Sequence, residues 1–246
     1  MKVKIVDTTL RDGEQKPGIA FSINDKIQIA KDVDEMGAYQ IEAGVPAMGG
    51  EEKKSVEKIV SLGLKSKVSS WNRMNEKDIQ NSIDCGVDII HISIPTSDIQ
   101  LSSKLAKDKN WIIYNMKKNI TFAKEKGFEV TIGFEDASRA EESFLIELCK
   151  IALRLEVKRI RYADTVGILY PRKTYNIIKK IKESVPVEIE FHGHNDFGMA
   201  IANSITAVQA AAEYVDCTVS GIGERAGNCD YLKFLTVCNK LGIRYL

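Results

Sequence analysis

The decapeptide FHGHNDFGMA, residues 191–200, holds two of the three histidines in a chain of 246 residues. His192 and His194 are two apart, so on a β-strand both imidazoles project from one face, and Gly193 between them adds no side chain. Two imidazoles on one face make a metal chelate, whereas a solitary histidine reads more simply as a packed core residue. The third ligand is expected to be an oxygen, because Cys229 is the only one of five cysteines near a comparable position. Asp7, Asp12, Glu14, Glu42, Asp136, Asp164 and Asp196 are the acidic candidates, and spacing alone does not choose among them.

Positioning such a pair requires a strand that ends at a cleft. Short β-branched or apolar runs recur at 3–7, 39–44, 67–71, 87–95, 128–134, 159–164, 187–193 and 214–223. Between them lie amphipathic segments such as INDKIQIAKDVDEMG, with Ile23, Ile27, Ala30 and Val33 at helical spacing, and TYNIIKKIKESV. Strand and helix in alternation predict parallel strands with right-handed crossovers, and eight repeats predict one (β/α)8 barrel over residues 1–246, a fold that takes about 250 residues. An open doubly wound sheet fits less well, since no GxGxxG follows an early strand. The long crossover from Ser97 to Gly127 is expected to form two helices covering part of the barrel mouth. Barrel chemistry sits at the carboxyl ends of strands. Six runs end there in polar or glycine-rich sequences: DTTLRDGEQ, IEAGVPAMGG, GFEDASR, ADTVG, HGHND and GIGERAGN.

Composition narrows the ligand. Thirty-five basic and thirty-four acidic residues leave a net charge of +1, and no basic cluster is interleaved with aromatics, which argues against nucleic acid. No apolar run approaches the roughly 18 residues of a membrane span, and the N-terminus has no signal-peptide core. An odd, scattered set of cysteines is expected to be reduced, in keeping with a cytoplasmic protein acting on small molecules.

DTTLRDGEQKPG, HGHNDFGMAIANS and GIGERAGN, in this order along nearly the whole chain, resemble the signature set of the isopropylmalate and homocitrate synthase family. That family belongs to a wider group of metal-dependent barrel enzymes that includes hydroxymethylglutaryl-CoA lyase. The resemblance implies a divalent metal, Zn, Mn or Mg, held by Asp12, His192 and His194, with Asn228 as a fourth ligand or close neighbour. It implies a 2-oxo acid chelated to that metal and attacked by the enolate of acetyl-CoA. Arg11 would stabilise the developing negative charge, with pairing to Glu42 or Asp136 as its structural alternative. Gln15 and Thr165 would bind the 2-oxo acid, Thr165 through its carboxylate. Glu42 is assigned a catalytic place beside Arg11 or the substrate, and Glu135 to a substrate-binding strand end. His91 reads equally as a substrate contact or a core residue. Gly221 and Gly223 fit either an anion seat aided by Arg225 or a tight turn, and Cys229 is expected to be structural.

Two departures bear on substrate and partners. Lysine-pathway homocitrate synthases carry an arginine where this chain has Thr131 and a histidine near Trp71–Asn72; the form of VTIGFEDASRA and GERAGN is similar to homocitrate synthases that serve nitrogenase cofactor assembly. The family's helical segments beyond the barrel, which reach a neighbouring subunit and bring a catalytic histidine, have no counterpart before LGIRYL. The favoured expectation is one chain of a split synthase using 2-oxoglutarate, as a homodimer or with a second chain. A stand-alone aldolase or lyase cleaving a hydroxy acid, and a keto-acid-binding module without turnover, are the alternatives.

Overall fold

The structure, a computed structural model, describes residues 1–245. Leu246, the last residue of the expected barrel, lies outside the described residues. Eight parallel strands alternate with eight helices: β1 (Lys2–Asp7), α1 (Ile23–Glu35), β2 (Gln40–Glu42), α2 (Gly50–Val60), β3 (Lys67–Arg73), α3 (Glu76–Cys85), β4 (Ile89–Pro95), α4 (Lys109–Glu125), β5 (Glu129–Glu135), α5 (Glu142–Arg154), β6 (Arg159–Asp164), α6 (Pro171–Ser184), β7 (Glu188–Gly193), α7 (Ala200–Gln209), β8 (Tyr214–Cys217) and α8 (Tyr231–Leu241). Consecutive strands pair in order, and β1 pairs in parallel with both β2 and β8, which closes the sheet into a (β/α)8 barrel. A short ninth strand, β9 (Arg244–Tyr245), pairs with the start of β1 on the opposite end from the mouth.

Five of the eight helices begin where the sequence supplies a cap or a stiff first residue. Ser22 and Asp25 form a reciprocal capping box on α1, Asn75 caps α3, Asp108 caps α4, Asp230 caps α8, and Pro171 occupies the first turn of α6. The apolar stripe of each helix packs on the outside of the sheet; in α5 it comprises Phe144, Leu145, Leu148, Cys149, Ile151 and Ala152, all buried. At roughly 1.5–3 kcal/mol for each large side chain removed from water, this outer layer carries most of the favourable burial.

The barrel interior is built differently. Gln40, Glu42, Ser69, His91, Arg159, Arg161, Glu190 and Asp216 are all buried. They alternate with residues that face the helices, as the two-residue period of a strand requires.

Two local differences from the sequence reading have physical causes. The second run forms only three residues of strand, because Gly44 turns out of it at φ +148 with the Glu52 carboxylate packed where a Cβ would stand. The eighth run ends at Cys217 instead of continuing to 223, since Val219–Gly221 forms a one-turn 3-10 helix with Ser220 at φ 57. The Ser97–Gly127 crossover holds two helical segments, as expected, a short π-helix over Gln100–Leu105 and the long α4.

Candidate metal centre and active-site cavity

The turn after β1 fixes Asp12. The N–H groups of Arg11, Asp12 and Gly13 all donate to the carbonyl of Thr8, at 3.2, 2.8 and 3.1 Å, which folds RDG back over the barrel mouth. Across the mouth, His192 lies on β7, and His194 just beyond it pairs in an isolated antiparallel bridge with Asn228 of the β8–α8 loop. That loop can approach so closely because Gly223 and Gly227 have no side chains: a Cβ on Gly223 would stand 2.1 Å from Asn228 Nδ2, and one on Gly227 2.1 Å from the Gly221 carbonyl.

Asp12, His192 and His194 converge, all three buried. Asp12 Oδ2 lies 2.9 Å from His192 Nε2 and 3.9 Å from His194 Nε2, and the two Nε2 atoms are 3.2 Å apart. These are the separations expected between neighbouring ligands of an ion bonded at about 2.1 Å. Asp12 Oδ1, His194 Nδ1 and Asn228 Oδ1 are buried without a hydrogen-bond partner. Asn228 donates through Nδ2 to the Ile222 carbonyl at 3.0 Å, leaving its Oδ1 as a free acceptor beside His194. A face of two imidazole nitrogens and hard oxygens with unused lone pairs suits Zn, Mn or Mg.

The electrostatics favour a cation here. Burial disfavours the His192 imidazolium, yet hydrogen bonds to Asp12 and Asp216 outweigh it and raise the pKa to about 9. Burial, with the neighbouring His192, pushes His194 down to about 4. Despite its own burial, Asp12 is held well below the usual carboxylate range by Arg11 and the two histidines. Asp216 accepts from His192 Nδ1 at 2.9 Å, which directs Nε2 to the ligand face.

A cavity of about 210 Å³ opens in front of these groups, lined among others by Arg11, Gln15, His91, Glu135 and Thr165. Arg11 pairs with Glu42 (Nε to Oε1, 2.5 Å) and with Asp12 (Nη1 to Oδ2, 3.1 Å), while Asp136 pairs with Arg139 instead. Glu42 is fully buried behind Arg11 and does not reach the cavity wall. Thr165 Oγ1 accepts from the Asp136 N–H at 2.8 Å, so its own proton is free to donate elsewhere. His91 Nδ1 lies 2.9 Å from Thr131 Oγ1, and burial together with the charge of Arg161 pushes its pKa down to about 3. Glu135 accepts from Gln100 Nε2 at 2.7 Å.

The other acidic candidates are engaged away from the histidines: Asp164 accepts from the N–H groups of Ile168 and Leu169, and Asp196 binds Arg225. Arg225 also donates to the Thr165 carbonyl at 2.8 Å, tying together the loops after β6, β7 and β8, so here the GIGERAGN glycines serve a tight, clasped turn. Cys229 is buried with Cys217. Sequence reasoning missed Arg161, Trp71, Ser93 and Gly133 on the cavity wall, and Asp216 behind His192. The signal for Arg161 and Asp216 was charge at alternate positions of otherwise buried strands.

The sequence matches the HMGL-like family over residues 2–244. It is 60% identical to the homocitrate synthase subunit alpha of Clostridium pasteurianum, over 98% of this chain and 90% of that protein. It is 52% identical to 2-isopropylmalate synthase 2 of Caldanaerobacter subterraneus and 44% identical to homocitrate synthase 1 of Nostoc sp., over 92% of this chain but only 59% and 60% of theirs. The fold resembles the HMG-CoA lyase of Bacillus subtilis with a TM-score of 0.88 at 17% identity, covering 99% of this chain and 88% of that one. With these motifs, this barrel and these relatives, the chain belongs to the HMGL-like family, among its homocitrate and isopropylmalate synthases.

Proposed function

We propose that this chain is the metal- and 2-oxo-acid-binding catalytic barrel of a homocitrate-synthase-like acyltransferase, joining acetyl-CoA to 2-oxoglutarate in a Claisen condensation. The observation that carries the reading is the convergence of Asp12, His192 and His194 on one face with Arg11 at its flank. Those three residues would hold the metal, with Asn228 Oδ1 as a further oxygen donor, and a bound divalent ion would polarise the 2-oxo acid's carbonyl. Arg11, fixed by Glu42, presents its remaining N–H groups to the charge that develops on the carbonyl oxygen. Thr165 donates its hydroxyl proton to the acid's carboxylate, and Gln15 offers its amide from the same wall. Neutral His91 faces the far end of the substrate with Glu135 at the rim.

The proton of the acetyl methyl group is assigned to a base from a second polypeptide. Two of the three histidines are ligands in this reading, and the rim carboxylates Glu135 and Glu224 are engaged by Gln100 and Arg225. The subunit designation of the Clostridium relative supports a split enzyme. So does the apolar rim: Met48, Ile99, Tyr170, Phe197 and Leu232, all at the carboxyl ends of the strands, are at least half exposed. No helix among the described residues is long and apolar enough to cross a membrane, and the five cysteines are free and buried, in keeping with a cytoplasmic enzyme.

Calorimetric titration with 2-oxoglutarate, 2-oxoisovalerate and pyruvate, with and without Zn²⁺, Mn²⁺ or Mg²⁺, tests the reading alongside a thiol assay for CoA release. 2-Oxoglutarate should bind only with metal, and CoA should appear only after a second chain is added. CoA release by this chain alone would remove the split arrangement. Cleavage of a hydroxy acid by this chain alone would make it a lyase, and binding without turnover under every condition would leave a keto-acid-binding module.

A further inference from the structure

Six titratable groups at and beneath the candidate site form one closed circuit. From Asp12 Oδ2 it runs 2.9 Å to His192 Nε2, and from His192 Nδ1 2.9 Å to Asp216 Oδ2. Asp216 Oδ2 lies 2.9 Å from Arg161 Nε, and Arg161 Nη2 lies 2.7 Å from Glu42 Oε2. Glu42 Oε1 then meets Arg11 Nε at 2.5 Å, and Arg11 Nη1 returns to Asp12 Oδ2 at 3.1 Å. Acids and bases alternate throughout, and no side chain in the circuit is more than 10% exposed.

We propose that Arg161 is a positioning residue that locks Arg11 and the ligand His192 into one geometry, a role resting on the metal and 2-oxo-acid reading above. Arg161 is the member that joins the two halves of the circuit, since it grips both Glu42 and Asp216, and it also binds Glu190. Both oxygens of Glu42 are taken, one by Arg11 and the other by Arg161, so this carboxylate cannot rotate without releasing a guanidinium. Asp216 holds the Nδ1 side of His192 and thereby aims Nε2 at Asp12. Arg161 donates from Nε to Glu190 and from Nη1 and Nη2 to Glu42, and its Nε edge lies in ionic contact with Asp216; a lysine ammonium in the same place keeps the charge but not this planar arrangement of donors. Arg161 also lines the cavity, so this brace borders the space that the 2-oxo acid would occupy.

A cluster that merely stabilises the barrel would predict different behaviour. Arg161→Lys retains a cation among Glu42, Glu190 and Asp216, so its melting temperature in chelator should stay near that of the wild type. Its affinity for Zn²⁺ or Mn²⁺ should fall about tenfold to a hundredfold, the range found for groups that support metal ligands. Glu42→Gln, which hydrogen-bonds none of the three ligands directly, should lower metal affinity as well because it opens the circuit on the far side of Arg161. In the double variant Arg161→Lys/Glu42→Gln the loss should be no greater than that of the worse single variant. The full chain is titrated with each metal and then with 2-oxoglutarate, with melting followed in parallel. Wild-type metal binding retained in both single variants would overturn the role of Arg161 alone, and should Arg161→Lys not fold, Glu42→Gln decides. Wild-type protein that takes up no metal would overturn the metal site, and this role with it.

Discussion

The two walls of the cavity are built on opposite principles. The wall from β6 through β8 to β1 and β2 presents Arg161, His192, Asp12 and Arg11 to the cavity, with Asp216 and Glu42 behind them, and in the order Arg161, Asp216, His192, Asp12, Arg11, Glu42 each is held by the next. The facing wall, β3 to β5, carries Trp71, His91, Ser93 and Gly133 and is neutral at its floor, with His91 kept uncharged by burial. Buried charges are tolerable only when paired, so the charged wall is a mutually braced unit in which one change is felt by several groups. On the neutral wall, contacts such as His91 with Thr131 are pairwise, and a change there stays local. In the proposed enzyme this separates reaction from selection: one wall does the chemistry, and the other can vary with the acid it accepts.

The largest effects are expected from the charged wall. His192→Ala and His194→Ala should each cost more metal affinity than the roughly hundredfold typical of a supporting group, while circular dichroism shows the barrel still folded. Metal stoichiometry unchanged in both would remove the site. Next comes Arg11→Lys, which at saturating metal should still load the site, though with affinity weakened as in the other circuit variants, and lower turnover about a hundredfold to a thousandfold, the cost of losing an aligned donor at a developing oxyanion. Near-normal kcat in the reconstituted enzyme would take Arg11 out of the reaction.

A substitution on the neutral wall sharpens the contrast. A Cβ on Gly133 would stand 2.4 Å from His91 Nε2, so Gly133→Ala must displace the imidazole from its place in the cavity. The expected result is about a tenfold loss of 2-oxo acid affinity, or about 1.4 kcal/mol, with metal affinity unchanged. A matching loss of metal affinity would show that the walls are coupled and the division is wrong.

The same contrast explains what could be read from the sequence. The eight strands were legible because β-branched runs and amphipathic stripes are local, and the strand ends stood out because RDGEQ, HGHND and GERAGN have no packing reason to be polar. The lengths of β2 and β8 were not, since Gly44 and Ser220 leave the strand through contacts and dihedrals that β-branched neighbours such as Thr218 and Val219 conceal. The circuit was illegible for a deeper reason. Glu42 meets Arg161 across 119 residues of sequence and the width of the barrel. Only the register of non-adjacent strands brings them together; the sequence carried the hint as polar or charged residues at alternate positions, Gln40 and Glu42, Arg159 and Arg161, Glu190 and His192.

Asp7 acts on stability alone and tests why the charged wall is built in pairs. It ends β1 fully buried and, unlike Asp12 and Glu42, has no guanidinium beside it; Thr9 donates to it from N–H and Oγ1 at 2.9 Å. Burial, reinforced by repulsion from Asp216 and Glu42, outweighs those hydrogen bonds and raises its pKa to about 7. In the unfolded chain the group titrates near 3.9. Between about pH 4 and pH 7 the folded state therefore keeps a proton that the unfolded chain has lost, and stability falls as pH rises across that window. The contribution is at most about 1.4 kcal/mol per pH unit and is complete above pH 7. Asp7→Asn cannot ionise, so its urea midpoint relative to the wild type should rise from pH 5 to about pH 7 and then level off by pH 8. Parallel midpoint curves would mean that this wall accommodates an unpaired carboxylate at no cost, and pairing would no longer explain why its members are linked.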